Sequence, residues 1–457
     1  MPTYRFGASM VSQTPYETLN NSLVFENQDQ YDWWHRGGPV LAKLMLHAKY
    51  NVHQQYQYLA LFAHLVVPFL GPSPRTCKPN IHPGFFDLEF SQNFQQTGCI
   101  TRIAFQPAKS IAALAERDPL KRLVTYEVLL RLSQMHGIHI DLSLYHHLIS
   151  TLSFTREEVH LLPEKSRETL PSVFGPQNCI GLDLQKNGNV KVKLYTFLLG
   201  KAIVSQTAAF DLALRSVQML DPKNTLFLPA IQHIQEYLRD QYTQERTGTA
   251  TAGSASFHPT GMAQMACDLV EVDQSRIKLY LYECLVKFEK VMDIWTLGGR
   301  LPETSETTAA LNILRTLWPL FNFTEGYHFP ADMAPKGGDR SQRGDDPAGF
   351  SFHSEPTFFD DQFLMFNFQI RPTDPWPQPQ VYFPLFKVRD SAVVDTVVAL
   401  FDKLGWTEHA STYGKNVKAY YSFGDLHETF DLQCYLSFSF SPKTGPYTSI
   451  YYRRISG

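Results

Sequence analysis

Apolar positions along this chain switch repeatedly between two spacings. Over 38–67 they recur at helical intervals and stop at Pro68 and the Gly71-Pro72-Ser73-Pro74 cluster, which predicts one or two amphipathic helices. From 85 to 106 the interval drops to two, so Asp87–Phe94 and Ile100–Phe105, around a turn at Thr97-Gly98, read as paired strands. Helical spacing returns over 107–117, 119–136 and 141–152. A second strand pair, Gly181–Leu184 and Val190–Leu198, flanks Lys186-Asn187-Gly188-Asn189, whose Asn-Gly centre suits a tight hairpin. Helices are predicted over 201–218 and 227–243, and the run of small residues over 246–256 as a loop. Strands follow within 266–282, then helices over 283–297 and 304–319. After a polar stretch from Gly326 to Pro356 come strands over 362–371 and 380–388, a helix over 391–404 and a hairpin within 431–454.

Two strands and then helices recur about five times, with no exact sequence repeat. Strands joined by hairpins pair antiparallel, and the helices between pairs must lie outside the sheet. The expected class is therefore α+β, with one domain over 1–457, residues 1–30 an N-terminal extension and 326–356 a long surface loop. The strands do not read as buried on both faces, because one face of each is polar. Lys191, Lys193, Tyr195 and Phe197 alternate with Val192, Leu194 and Thr196; Arg276, Lys278, Tyr280 and Tyr282 alternate with Ile277, Leu279 and Leu281. Gln380–Phe383 and Tyr435–Phe440 repeat the theme. If helices cover the aliphatic face, the other face points into a shared interior, and the sheet is a closed barrel around a wet, aromatic-walled chamber. Arg102, Lys193, Arg276 and Lys278 would line it. Cations crowded together repel and call for an anion, for which a diphosphate beside tyrosine hydroxyls is the natural guest.

Composition narrows the alternatives. A net charge of −3 carries no basic excess for a nucleic-acid or anionic-membrane surface. The most hydrophobic run, Leu59–Leu70, is too short to cross a bilayer, and the first twenty residues hold no apolar signal segment. Six scattered cysteines without a C-x-x-C pair read as reduced thiols, so a cytoplasmic protein is expected. A homodimer is left open. The conspicuous surplus is aromatic, at 13% of the chain, which fits a chamber walled by rings.

In order, Pro68–Pro74, Leu88-Glu89-Phe90-Ser91, Thr101-Arg102, Lys193-Leu194-Tyr195, Arg276–Tyr280, Gln380-Val381-Tyr382 and Tyr435 through Pro446-Tyr447 to Tyr451 resemble the landmarks of the aromatic prenyltransferases of the dimethylallyltryptophan synthase type. The resemblance runs from about residue 30 to 452. It implies an αββα (ABBA) barrel of about ten antiparallel strands ringed by helices. It also implies metal-independent transfer of a dimethylallyl group from dimethylallyl diphosphate to an electron-rich aromatic acceptor, with no cofactor. By that likeness Arg102, Lys193, Arg276, Lys278, Gln380 and Tyr447 are diphosphate ligands. Tyr195, Tyr280, Tyr382, Tyr435 and Tyr451 are the shield around the allyl cation, and Glu89 is the carboxylate that takes the acceptor proton. Lys443 is the nearest match to a further basic residue of the family.

Two departures bear on the acceptor. The segment before Glu89 reads Pro83-Gly84-Phe85-Phe86, bulkier than the family turn, and Cys179 stands about where members alkylating the indole 4-position carry a lysine. An indole alkaloid or cyclic dipeptide is favoured over free tryptophan, with a phenolic polyketide as the alternative. A barrel that only binds an anionic hydrophobic ligand is the non-enzymatic alternative. Neither Asp345-Asp346 nor Asp360-Asp361 completes a magnesium-binding D-D-x-x-D motif. The histidines at 136, 139, 146 and 147 lack Cys or acidic partners at zinc spacing.

Overall fold

The computed structural model describes residues 13–73, 87–108, 122–160, 177–247, 260–321, 323–328, 363–421, 424–441 and 443–452. The chain opens with α1 (Pro15–Asn20), α2 (Gln28–His47) and α3 (Val52–Leu61), which continues as a π turn and a 3-10 turn to Phe69. Each start has its cap: Thr14, Asn27 and Asn51 accept from the backbone N–H three residues on, at 3.3, 3.0 and 2.9 Å. The helical pattern thus begins upstream of residue 38, within the expected extension. The run Gly37-Gly38-Pro39 reads as a breaker, yet α2 continues through it. Gly37 is there for space, since a Cβ would lie 2.7 Å from the Phe62 ring. Tyr16 of α1 stacks on Trp34 of α2 at 5.3 Å.

Five hairpins follow, separated by helices. These are β1 (Leu88–Gln95) and β2 (Gly98–Phe105); α4 (Arg122–Ser133), α5 (Leu142–Leu152) and α6 (Arg156–His160); β3 (Asn178–Leu184) and β4 (Val190–Phe197). Next come α7 (Leu199–Ser205), α8 (Ala209–Leu220) and α9 (Leu228–Thr247), β5 (Thr260–Asp268) and β6 (Ile277–Glu283). A short ladder of β7 (Leu285–Val286) with β8 (Gly326–Tyr327) brackets α10 (Phe288–Trp295) and α11 (Ser305–Phe321). The chain closes with β9 (Leu364–Ile370) and β10 (Gln378–Pro384), α12 (Asp390–Lys403) and α13 (Thr407–Tyr420), then β11 (Gln433–Ser441) and β12 (Gly445–Tyr452).

Ten strands close into one antiparallel barrel in the order β1-β12-β11-β10-β9-β6-β5-β4-β3-β2. Its outward face is the aliphatic one: Val192, Leu194, Ile277, Leu279, Leu436 and Ile450 are buried beneath the helices. That core removes the sheet's apolar side from water and leaves the polar side to face the lumen. Two helical expectations need correction. The helix predicted over 201–218 is divided, because Gln206 adopts a left-handed φ of 52° and ends α7. α13 escaped the pattern because its sequence is rich in Ser, Thr, Gly and Asn, weak helix formers, and it buries only Tyr413, Val417 and Tyr420. Residues 109–117 of the helix expected over 107–117, most of the loop over 246–256 and residues 329–356 of the expected long loop lie outside the described residues, as do Pro83–Phe86. Among the described residues, no helix is long and apolar enough to cross a membrane.

Candidate active site

Strand register stacks the inward side chains in tiers, two residues and about 7 Å apart along each strand. On β6 and the residue before it, Arg276, Lys278, Tyr280 and Tyr282 follow one another. The neighbours fall into step: Lys193 faces Asp268, Tyr280 faces both Gln264 and Asn367, and Asn367 faces Gln380. Across the barrel, Ser91 lies between Arg102 and Tyr451.

The first tier is cationic, but its charges are not left to one another. The Lys193 ammonium donates to Asp183 at 2.6 Å, and Arg102 Nε lies 3.2 Å from the same carboxylate. Arg276 grips Asp268 with two bonds, 2.6 and 3.0 Å. Lys278 donates to Gln380 Oε1 at 3.0 Å, and Asn367 shares that acceptor at 2.9 Å. Burial pulls the Lys193 ammonium down to about 8, opposed by Asp183 and helped by Arg102 and Arg276. Lys278 is driven well below the ordinary lysine value by burial and then by Arg276, Lys193 and Arg102. Burial alone would raise the Asp183 and Asp268 carboxyls, but Lys193 and Arg102 hold the first, and Arg276 the second, below the usual carboxylate range. The expectation of four cations awaiting an anion is therefore corrected: two carboxylates already offset half of that charge. Each sits beside its cation in sequence space, Asp183 one hairpin before Lys193 and Asp268 at the other end of the short β5–β6 connection from Arg276. An inward Asp on a strand paired with a Lys strand is the signal that could have found them.

The second tier is a belt of rings. Centroids of Tyr195 and Tyr280 are 6.1 Å apart, Tyr280 and Tyr382 6.0 Å, and Tyr382 and Tyr451 5.9 Å. The Tyr382 hydroxyl is bonded to those of Tyr280 and Tyr451 and accepts from Asn367 Nδ2 at 2.9 Å. Burial raises all four phenols above their ordinary value, so they stay neutral at physiological pH. Gly181 makes room for the belt, since a Cβ there would meet the Tyr195 ring at 2.9 Å.

A cavity runs from Arg102 and Asp183 of the cation tier past the belt tyrosines to Glu89, Ser91, Gly181, Gln264, Met365 and Tyr435. Glu89 is 4% exposed. Cys179 faces the same region, and its thiol is pushed up by burial and then by the Glu89 charge. Tyr435 packs edge-on against Phe386 at 5.0 Å. Gln380 belongs to the cation tier rather than the cavity. Tyr447 faces Ser439 across β11–β12 and is an electrostatic neighbour of both Arg102 and Arg276.

Three further placements qualify the sequence reading. Lys191 shares the parity of Lys193 but is exposed, because β4 has emerged from the lumen there. Lys443 is exposed in the β11–β12 turn, whereas Arg371, one residue past β9, has Arg276, Tyr447 and Asp268 as its charged neighbours. Of the tryptophans, Trp33 donates to the Gly71 carbonyl at 3.0 Å and Trp376 stacks on His233 at 4.1 Å. Among the described residues, no three His, Cys, Asp or Glu side chains converge as metal ligands.

The model of the family described as "Tryptophan dimethylallyltransferase" matches residues 29–416. A prenyltransferase of Aspergillus ustus named ucdE is 41% identical over 452 residues, covering 97% of this chain and 96% of that protein. The verruculogen prenyltransferase of Neosartorya fischeri is 40% identical over 451 residues, 98% of this chain and 97% of its own. Among solved structures, NotF in complex with brevianamide F and DMSPP superposes with a TM-score of 0.76 at 27% identity, covering 96% of this chain and 98% of that one.

Proposed function

The chain belongs to the tryptophan dimethylallyltransferase family, and from that premise we propose how its barrel carries out prenyl transfer to an aromatic acceptor. The cation tier binds the diphosphate of dimethylallyl diphosphate through Arg102, Lys193, Arg276 and Lys278, with Gln380 and Tyr447 as neutral ligands. Four cations against two carboxylates leave a surplus of two positive charges, which suits a diphosphate. As the allylic C–O bond breaks, negative charge grows on the departing diphosphate, where preorganised cations stabilise it most.

The allyl cation then faces Tyr195, Tyr280, Tyr382 and Tyr451. Their ring quadrupoles stabilise it and their bulk excludes water, while their raised pKa values keep a nucleophilic phenolate from forming. The acceptor occupies the cavity next to the belt, its aromatic carbon attacks the cation, and Glu89 binds the acceptor N–H and takes up the proton released on rearomatisation. Tyr435 closes the cavity wall. An indole is the favoured acceptor, supported by the brevianamide F held by NotF and by Glu89 as the partner for an indole N–H. All ionic stabilisation in this scheme comes from side chains, so no metal is required. The five cysteines among the described residues are buried, and a reducing compartment, the cytoplasm, is the setting proposed for the protein.

The observation that carries the reading is the order of the tiers: paired cations, then a ring belt, then a buried carboxylate in a cavity. The test is incubation with dimethylallyl diphosphate and a tryptophan-containing cyclic dipeptide in excess EDTA. A product heavier by one C5H8 unit is expected, at a rate that the chelator does not change. Diphosphate binding without transfer to any aromatic acceptor would leave only a binding barrel, and loss of turnover on chelation would overturn the metal-free scheme.

A further inference from the structure

Gln264 is fully buried on β5, opposite Tyr280, and it lines the cavity that holds Glu89. Neither its amide oxygen nor its amide nitrogen has a hydrogen-bond partner among the described residues. Buried amides in folded proteins are almost always satisfied, and leaving both ends of one unmet is costly. The ladder neighbours offer no reason for the amide: Phe197 and Tyr280 would pack equally well on an apolar side chain. An amide kept in such a wall is there for what enters the cavity.

A primary amide presents its acceptor and its donor side by side in one plane. The group that satisfies both at once is planar, with a donor and an acceptor on the same edge. A lactam in a small ring is held cis and has that edge. An open-chain trans amide places the two on opposite sides, a carboxylate offers acceptors alone, and a phenol offers a single hydroxyl. Gln264 and Glu89 also stand far apart around the lumen, four ladder steps along the ten-stranded barrel.

We propose that Gln264 determines acceptor specificity by pairing with the cis-lactam edge of a cyclic dipeptide while Glu89 holds the indole N–H at the other end. This rests on the prenyl-transfer reading and names its acceptor class. The two handles pin both ends of the acceptor, and the ladder neighbour of Gln264 is Tyr280, so the indole between them lies against the ring belt.

The test compares a tryptophan-containing cyclic dipeptide with the same compound methylated on its lactam nitrogen, in the wild type and in Gln264→Met. The wild type should prefer the unmethylated acceptor by ~10- to 100-fold in kcat/KM, the scale of losing a paired buried hydrogen bond. In Gln264→Met that preference should fall to near one, through loss on the unmethylated compound alone, with diphosphate affinity unchanged. Retained diphosphate affinity also shows that the variant is folded. If it does not fold, the wild-type preference decides the matter. Equal turnover of the two compounds by the wild type, or an equal loss on both in the variant, overturns the role of Gln264 and leaves prenyl transfer intact. Failure of the wild type to prenylate any aromatic acceptor is a different result, which sinks the reading beneath it.

Discussion

The two ends of the lumen solve opposite problems. At the cation end the fold completes its own bonds: Asp183 engages Lys193 and Arg102, Asp268 engages Arg276, and Gln380 receives Lys278 and passes its own amide N–H to Ser437 at 2.9 Å. At the cavity end the Gln264 amide has no hydrogen-bond partner among the described residues, and Glu89 lines the same cavity. A donor that is always a diphosphate rewards a rigid, preorganised cradle. The handle proposed for the acceptor is instead an amide that the fold leaves unsatisfied among the described residues.

The contrast breaks most severely at Glu89. Glu89→Gln keeps the shape but removes the carboxylate proposed as the base, so prenyl transfer should fall by ~10²–10⁴-fold while diphosphate affinity stays within about twofold. Steady-state rates beside calorimetric titration of diphosphate check this, and a parallel fall in both would erase the division between the ends. Arg276→Leu should do the converse. It removes a two-point ligand and leaves Asp268 facing the anion, so diphosphate should bind ~100-fold more weakly. Undiminished affinity would remove Arg276 from the cradle.

A third test uses pH. The Lys193 ammonium is depressed to about 8 and Lys278 well below its ordinary value, both first by burial. A bound anion favours their protonated forms, so binding should take up protons. Affinity should be full on the acid side of these values and decline by about tenfold per pH unit as pH rises through 8. Titration in buffers of different ionisation enthalpy reads the uptake directly; a flat affinity and no uptake would contradict the paired-lysine picture. The smallest effect is expected at Asp183. Asp183→Asn removes a competing carboxylate, so diphosphate should bind several-fold more tightly, while the uncompensated Lys193 and Arg102 lower the stability of the empty protein by about 3 kcal/mol. Thermal melts with and without diphosphate check this, and weaker binding would show that Asp183 helps to hold the anion.

The same contrast explains what could be read from the sequence. Strict alternation in 191–197 and 276–282 exposes a barrel with its polar side inward, because period two allows no other grouping of those side chains. It also finds the cations and Tyr195, Tyr280 and Tyr382. Asp183 and Asp268 were harder, because each stands alone in an apolar run and becomes a counter-ion only once the hairpins are in register. Gln264 and Asn367 were invisible, since an amide within Met-Ala-Gln-Met-Ala or Met-Phe-Asn-Phe carries no pattern of its own. Their meaning comes from partners on other strands, or from the lack of them. The landmarks that resemblance added, Gln380 and Tyr447, lie with the cations, whereas Lys443 points to the surface and Arg371 stands nearer that charge.

The most direct test of the account is a crystal structure with a non-ionising thiolo analogue of dimethylallyl diphosphate and an indole-bearing cyclic dipeptide. The diphosphate should lie within hydrogen-bond distance of Lys193, Arg276 and Lys278, the prenyl chain against Tyr280 and Tyr382, and the indole N–H at Glu89. A diphosphate bound away from these cations, or an acceptor on the cation side of the tyrosine belt, would contradict it.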